Sequence, residues 1–322
     1  MKNSGISVII CCFNSSAIID ETLQYLFRQK FLNNLDWEII VVNNASIDNT
    51  VEIAKRAFTS VNNISYKIVT ELKPGLIHAR NRGIQAAQYE YILFCDDDNF
   101  LCNTYVQDVF NIMSSDYTIG ACGGKGKSLI RGCDEPEWFK KFSSSYAVGS
   151  QTSNKGHVRQ LYGAGICIRR SALEKIYKCG FVSFCTGRKG SSLLAGEDSE
   201  LNFALRLSGC KLFADDVLVF QHVISPKKLT EEYLKQMHYG FGISYSVNFL
   251  YAKALNETKI KSYFALLILS VFRILKSGFF NDIEHLLLFA KSLGILKGVV
   301  YFNTSLFKIL KIIKQLDRAS CK

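Results

Sequence analysis

The stretch Tyr91-Ile-Leu-Phe-Cys-Asp-Asp-Asp-Asn99 decides the reading of this chain. Its apolar half runs without a break, as a strand covered on both faces does. The three carboxylates that follow repel one another unless a cation is present; the alternative is a solvated acidic loop or helix cap. In open α/β sheets, ligands bind just beyond the carboxyl ends of the strands. A buried strand ending in a charge cluster therefore marks a candidate site.

Working outward, the same pattern recurs upstream. Ile6 to Phe13 is a continuous apolar run ending at Asn14, Glu38 to Asn43 a second strand ending at Asn43-Asn44, and Tyr66 to Leu72 a third. Between them, Ser15 or Ser16 caps a helix with Asp20 and Glu21 in its first turn and Ile19, Leu23 and Leu26 on one face. Thr50 to Phe58 reads as a second helix. After Pro74-Gly75 comes a third, in which Ala79, Gly83 and Ala87 form a small-residue face suited to close packing. Four βα units in order predict an α/β fold with a mostly parallel central sheet and helices on both sides. No G-x-G-x-x-G follows the first strand and no G-x-x-x-x-G-K occurs, so dinucleotide and P-loop readings have no support.

Composition narrows the classes further. With 322 residues, 48% hydrophobic and only three prolines, the chain folds and is not a disordered or mucin-like protein. The net charge of +11 suggests nucleic acid until it is divided: residues 225–322 hold 15 Lys+Arg against 6 Asp+Glu, so +9 of it lies there. In that third the cations are interleaved with long apolar side chains, which fits an anionic membrane surface and no nucleic acid. Leu306, Ile309, Leu310, Ile313 and Leu316 fall on one helical face, with Lys308, Lys311, Lys314 and Arg318 toward the other. Such helices either lie in the interface of an anionic leaflet or pack on the rest of the chain with a solvated basic face. No stretch reaches eighteen uninterrupted apolar residues, and Tyr263 to Leu275 is too short to span a bilayer. The first residues read as a strand and not a signal peptide. Eleven scattered cysteines without a C-x-x-C pair read as buried thiols in a reducing compartment.

The order and spacing of these motifs resemble the family 2 glycosyltransferases, inverting sugar-nucleotide enzymes with a GT-A fold. The resemblance is carried by Ser7 to Asn14, Glu38 to Ser46 with Asp48 and Thr50, Gly75 with Ala79-Arg80-Asn81-Arg82-Gly83, and Tyr91 to Asn99. Further on it rests on Gly163-Ala-Gly165, Gly196-Glu197-Asp198 and His222. It implies a GT-A type α/β/α sandwich over residues 1–224, with a donor half of about 1–100 and an acceptor half of about 101–224. A basic amphipathic helical region, residues 225–322, follows.

The resemblance also implies roles. A sugar nucleotide leaves as a diphosphate whose charge a divalent ion held by carboxylates can offset. Asp98 and Asp96 are the expected metal ligands, with Asp96 alternatively meeting the ribose, and Asp97 joins the donor-binding set although its position turns it the other way. His222, closing a strand Val217 to Gln221, matches a late histidine ligand in some relatives; otherwise it is a satisfied polar residue. Carboxylate with imidazole suits Mn²⁺ ahead of Mg²⁺. Asn14, Asn43, Asn44 and Arg80 fall in the donor half. Many relatives carry an aspartate in the pair occupied here by Asn43-Asn44, so base recognition through the Asn44 carbonyl is more permissive: UDP and dTDP sugars lead, GDP sugars stay open. Asp198 is the expected general base and Glu197 its neighbour that orients the acceptor; the alternative is two carboxylates stabilised by a helix dipole. Arg188 and Lys189, in Thr186 to Ser192, either close over the diphosphate or form a solvated turn. Trp138 either stacks on an acceptor sugar or packs in the core.

The expected activity is transfer of a sugar from a nucleotide-sugar donor to a glycan or lipid-linked acceptor in cell-surface polysaccharide assembly, peripherally on the cytoplasmic face of a membrane. Two rivals are transfer to a polyprenyl phosphate, which needs no base, and a membrane-docked sugar-nucleotide binder without turnover.

Overall fold

The computed structural model describes residues 4–32, 34–61, 64–187, 195–277 and 282–320. Arg188 and Lys189 therefore lie outside the described residues. Contacts divide the chain into two compact units, Met1–Glu174 with Cys210–Ser225, and Lys175–Gly209 with Pro226–Lys322.

The first unit begins with β1 (Ile6–Cys12), α1 (Ile19–Phe27), β2 (Trp37–Asn44), α2 (Thr50–Thr59), β3 (Ser65–Glu71), α3 (Leu76–Ala86) and β4 (Tyr91–Asp96). The strands and α2 match the expected elements to within a residue or two, whereas α1 starts at Ile19 behind Ile18 with no side-chain cap, so neither Ser15 nor Ser16 caps it. It continues through β5 (Asn99–Leu101), α4 (Tyr105–Ser115), β6 (Ile119–Ile130), the single turn α5 (Phe139–Phe142), β7 (Lys155–Val158) and β8 (Cys167–Arg169), which runs into α6 (Arg170–Lys178). After α7 (Glu197–Leu207), the chain returns to this sheet as β9 (Lys211–Ile224).

The strand order is β3-β2-β1-β4-β8-β6-β9-β5, with β7 also on β9. From β3 to β4 every pairing is parallel. Beyond β4 the sheet is mixed, because β8 runs antiparallel to both β4 and β6, and β5 antiparallel to β9. Alternation along β1 places Ile6, Val8, Ile10 and Cys12 in one core with Leu23 and Leu26 of α1, Phe58 of α2 and Val106 of α4. On the opposite face lies α3, whose Gly83 backs onto Ile9 so closely that a Cβ there would stand 2.4 Å from Ile9 Cγ2. The small-residue face of α3 therefore does serve close packing.

A buried carboxylate fastens the sheet to that helix. Glu38, fully buried on β2, accepts from Ser7 Oγ (2.7 Å), Lys67 Nζ (2.8 Å) and the Gln88 amide (2.8 Å). Every lone pair of consequence is met, which is what allows a charge to sit in the interior.

In the second unit α7 packs on α8 (Glu231–Ala254) and α11 (Leu306–Ser320); α9 (Tyr263–Ser277) and α10 (Ile283–Phe302) lie between these in sequence. Residues 175–209, expected to belong with the first 224, thus group by contact with the C-terminal helices. Helices α8 and α10 meet backbone to backbone: a Cβ at Gly242 would stand 2.0 Å from Lys291 O, and one at Gly294 2.1 Å from Tyr239 O. The helical run Ile283–Ser320, 38 residues, is long and apolar enough to cross a membrane by length and composition, with 39% of its apolar window buried. Lys291 and Lys297 still break its apolar sequence, so it holds no eighteen uninterrupted apolar residues. The apolar stripe of α11 is turned inward in part: Ile309, Ile313 and Leu316 are buried together with Ile312, Leu306 is half-buried, and Leu310 is exposed along with Lys308, Lys311, Lys314 and Arg318. That is the packed alternative for this helix. Among the described residues ten cysteines are free; Cys12, Cys95, Cys122, Cys167 and Cys185 are buried as expected, whereas Cys133 is exposed.

One carboxylate ties the second unit together. Glu200, fully buried on α7, accepts through Oε2 from Ser183 Oγ (2.7 Å) and the amides of Phe184 (2.9 Å) and Cys185 (3.0 Å), and Tyr251 Oη on α8 donates to Oε1 at 3.5 Å. Burial pushes its carboxyl up to about 7, against the downward pull of those hydrogen bonds.

Two stability experiments follow from this packing. The β6–β9 register shifts between Gly123 and Lys125, and a Cβ at Gly124 would fall 1.8 Å from Leu218 O, a main-chain atom that cannot swing away. Gly124→Ala should lower stability by about 1–3 kcal/mol or more, read as a lower urea midpoint at unchanged m-value. Glu200 binds its proton more tightly in the folded chain than at the ordinary 4.5, so its contribution is fullest below that value and is lost as pH rises toward about 7. Glu200→Gln keeps the shape and should abolish that fall; parallel urea midpoints for the two proteins between pH 4 and 8 would show it, and parallel slopes would refute it.

Candidate active site

The carboxyl end of β4 closes into a tight turn, Asp97-Asp98, and returns as β5. Three residues of β5 pair with β9, with Asn99 opposite His222, and the Val223 amide donates to Asp98 O at 2.9 Å. His222 is therefore an interior residue of β9, not the end of a strand at Gln221, and the pairing brings its Nε2 to 3.5 Å from Asp98 Oδ2. Its other nitrogen, Nδ1, lies 2.7 Å from Tyr146 O, a carbonyl that can only accept. The proton of a neutral ring is thus held on Nδ1, and the Nε2 lone pair faces Asp98. Tyr146 is in turn packed by Phe139, their ring centroids 5.2 Å apart, which assigns Phe139 to the core; Trp138 beside it is half-buried.

The other two aspartates are placed differently. Asp97 turns its carboxylate to the hydroxyl of Ser15, and its carbonyl accepts from Thr22 Oγ1 at 2.5 Å, so this residue pins the turn to the start of α1. Asp96 Oδ2 accepts from Asn99 Nδ2 at 3.3 Å, while the buried Asn99 Oδ1 has no hydrogen-bond partner among the described residues. No group of three or more His, Cys, Asp or Glu side chains among the described residues is arranged to hold a metal ion. The structure thus brings Asp98 and His222 together and leaves Asp96 on Asn99. Two donors 3.5 Å apart are nonetheless spaced like ligands each roughly 2.1 Å from a shared ion. A two-donor protein set suits an ion whose remaining positions go to substrate phosphates and water.

Around this turn lie the ends of β1 and β2. Asn14 has φ 54, its Oδ1 accepting from the Ile47 amide (2.9 Å) and its own amide donating to Ser46 Oγ (3.0 Å). Asn43 Oδ1 accepts from the Ser46 amide at 3.1 Å. Asn44 is buried and fully engaged: Nδ2 donates to Glu71 O (3.2 Å) and Lys73 O (2.8 Å), and Oδ1 accepts from Gly75 N (2.8 Å). The base-reading carbonyl expected of Asn44 is therefore occupied, and this residue clamps the loop entering α3. Arg80 is buried with its guanidinium 5.1 Å from the Phe94 ring centroid. Burial pushes the Cys11 thiol up to about 12, with Arg80 pulling it down and Asp96 and Asp97 pushing it further, so cation and carboxylates flank one point on β1.

Sequence reasoning singled out neither Tyr146 nor Glu200, took Ser15 only as a helix cap, and gave Asp48 and Asn99 no role beyond their place in the motifs. Burial raises the Asp48 carboxyl, but hydrogen bonds from Thr50 and Ser16 outweigh it and hold it at about 2. Its pairing with Thr50 two residues on was the one available signal. In the second unit, Gly196 (φ 108) opens α7, with Glu197 buried and Asp198 half-buried, Asp198 Oδ1 accepting from Ser199 N at 2.7 Å. Gly187 lies against Glu197: a Cβ there would meet its carboxyl carbon at 3.0 Å. Of the two adjacent carboxylates, Asp198 is the more accessible.

Comparison with known proteins bears on the family and the fold. The family described as Glycosyl transferase family 2 matches residues 7–177, more than half of the chain. A cholesterol galactosyltransferase of Borreliella burgdorferi is 31% identical over 117 residues, 36% of this chain and 31% of its own length. A poly-beta-1,6-N-acetyl-D-glucosamine synthase of Staphylococcus epidermidis is 27% identical over 177 residues, 53% of this chain and 41% of its own. The chain thus spans less than half the length of these curated relatives. S. aureus TarS 1-349 in complex with UDP-GlcNAc superposes with a TM-score of 0.56 at 15% identity, over 98% of this chain and 90% of that one. The mannosyltransferase PcManGT from Pyrobaculum calidifontis, in complex with GDP-Man and Mn²⁺, gives 0.54 at 14% identity over 98% and 86%. At such identities the likeness is one of fold, and the fold is GT-A. The matched span runs from β1 through the aspartate turn to α6, and on that match the chain belongs to glycosyltransferase family 2.

Proposed function

We propose that this chain transfers a sugar from a nucleotide-sugar donor, a UDP sugar first and a dTDP sugar second, to a hydroxyl of a glycan or lipid-linked acceptor, with inversion. The work is done at the cytoplasmic face of a membrane, in cell-surface polysaccharide or glycolipid assembly. The observation that carries the reading is the juxtaposition of Asp98 and His222 beyond β4, with the imidazole tautomer fixed by Tyr146 O. Supporting it, TarS was solved with UDP-GlcNAc, and relatives are named as a galactosyltransferase and an N-acetylglucosamine polymer synthase.

Asp98 and His222 would hold a divalent ion, Mn²⁺ ahead of Mg²⁺, which supplies Lewis-acid charge for the departing diphosphate. Arg80 adds fixed positive charge on the donor side, and Asn14 and Asn43 present amides to the nucleotide. Asp96, held by Asn99, is offered to the ribose. Asp198 accepts the proton of the attacking hydroxyl, and Glu197 orients the acceptor or the neighbouring backbone.

Two measurements test these roles separately. Excess EDTA should abolish transfer, and Asp98→Ala should raise the Mn²⁺ concentration required more than His222→Ala does, since it also removes a charge; full activity under chelation would refute the metal assignment. Asp198→Asn should leave donor affinity near wild type and reduce transfer by roughly 10²- to 10⁴-fold. Near-normal transfer by that variant would move the base elsewhere, or favour an acceptor that is already an anion, such as a polyprenyl phosphate.

A further inference from the structure

Helix α9 is built inside out. Its inward line carries Leu266, Ser270 and Ser277, all buried, with Ser270 Oγ donating to Leu266 O (2.8 Å) and Ser277 Oγ to Arg273 O (2.7 Å). Its outward line is Phe264, Ile268, Val271, Phe272 and Leu275, exposed by 70, 55, 46, 61 and 63%. The spacing of four, three, one and three residues sets all five on one face. A helix surrounded by water turns its serines out and its phenylalanines in. Here the order is reversed, as it is in helices that face hydrocarbon, where small residues mediate contact between helices. The adjoining α10 repeats the reversal, with Ser292, Gly294 and Gly298 buried and Val300 and Tyr301 exposed by 74 and 62%.

Charge selects the occupant of the α9 face. Residues 259–277 contain no Asp or Glu, while Lys259, Lys261 and Lys276, at the two ends of the helix, are exposed. A second copy of the same face would bring cations against cations. An anionic leaflet meets the apolar side chains with hydrocarbon and the lysines with headgroups. The apolar stretch of α9, Tyr263 to Leu275, is interrupted by Arg273 and bracketed by Lys261 and Lys276, and falls short of the roughly 20 apolar residues a spanning helix needs, so the helix lies in the interface.

We infer that the outer face of α9, and not the apolar stripe of α11, is the surface by which this protein docks on an anionic lipid leaflet. This rests on, and sharpens, the proposal that the protein works at a membrane. On α11 the large apolar side chains left exposed are Phe307 and Leu310, set among Lys308, Lys311 and Lys314, against the five on α9.

The test is co-sedimentation of the full chain with vesicles of phosphatidylcholine alone or with phosphatidylglycerol added. Wild type should bind the anionic vesicles, bind neutral ones weakly, and release as salt is raised. The double variant Ile268→Asp/Phe272→Asp, at exposed positions, should keep the wild-type thermal midpoint and lose at least tenfold in partitioning. Lys259→Glu/Lys261→Glu should lose about fivefold per residue at low salt, whereas Phe307→Asp on α11 should change little. As a direct readout, a tryptophan placed by Phe272→Trp should be quenched by brominated lipid. Undiminished binding of the Ile268→Asp/Phe272→Asp variant, or a wild type that ignores vesicles and self-associates in the ultracentrifuge through this face, overturns the inference. Donor turnover is measured in parallel with a soluble acceptor: its absence alongside intact vesicle binding would sink the transferase reading and leave the docking surface standing.

Discussion

The antiparallel pairing of β5 with β9 is the constraint on which the juxtaposition of Asp98 and His222 depends. Three residues, Asn99 to Leu101, reach across to Phe220 to His222, more than a hundred positions later in the chain. Without that ladder, Asp98 would sit on an ordinary surface turn and His222 on an ordinary strand. Closing so long a loop costs conformational entropy, although that cost grows only slowly with length. What offsets it is packing: Phe100, Leu101 and Phe220 are fully buried, and they hold the two polar residues at 3.5 Å as a by-product of core formation.

The three aspartates illustrate how a repulsive cluster is tolerated. Each is given a different neighbour: Asp97 the Ser15 hydroxyl, Asp96 the Asn99 amide, Asp98 the imidazole of His222. Hydroxyl and amide donors from Ser15, ahead of α1, and Asn99, on β5, meet two of the three charges, while the third faces the His222 ring on β9. Arg80, buried on α3, adds a compensating field from the other face of the sheet.

Much of this was legible in the residues. Strands β1 to β4 are covered on both faces, and such strands write themselves as apolar runs, so their bounds and parallel order were recoverable. Strands β5 to β8 were not, because they are short, or glycine-rich as in Gly123-Gly124, or bear charge. Arg169 and Arg170 look like surface residues, yet both are buried, their guanidinium groups donating to main-chain carbonyls such as Ile119 O and Tyr89 O. Glu38 and Glu200 mislead in the same way, since nothing local announces a buried carboxylate whose donors come from distant loops. For the site, Asp98, His222 and Asp198 could be named from motif order. Asn44 could be named but its role could not, because its partners at Glu71, Lys73 and Gly75 depend on the β2–β3 register. The stripe of α11 was readable as a stripe, whereas periodicity says nothing of what covers it, and the serines buried under α9 were invisible to a reading that looked only for apolar faces.

The hydrogen bond that sets the His222 tautomer has an evolutionary consequence. Its acceptor is the main-chain carbonyl of residue 146, so the side chain there is free to drift as far as packing on Phe139 permits without changing which ring nitrogen carries the proton. The vulnerability is displaced onto the backbone. Ala147 holds a left-handed φ of 54, and a Cβ on Gly126 would stand 1.9 Å from Ala147 O. Any constraint on the tautomer of a histidine near the end of the first unit is therefore felt as intolerance of any side chain at a glycine almost a hundred residues earlier, a position no chemical motif would single out.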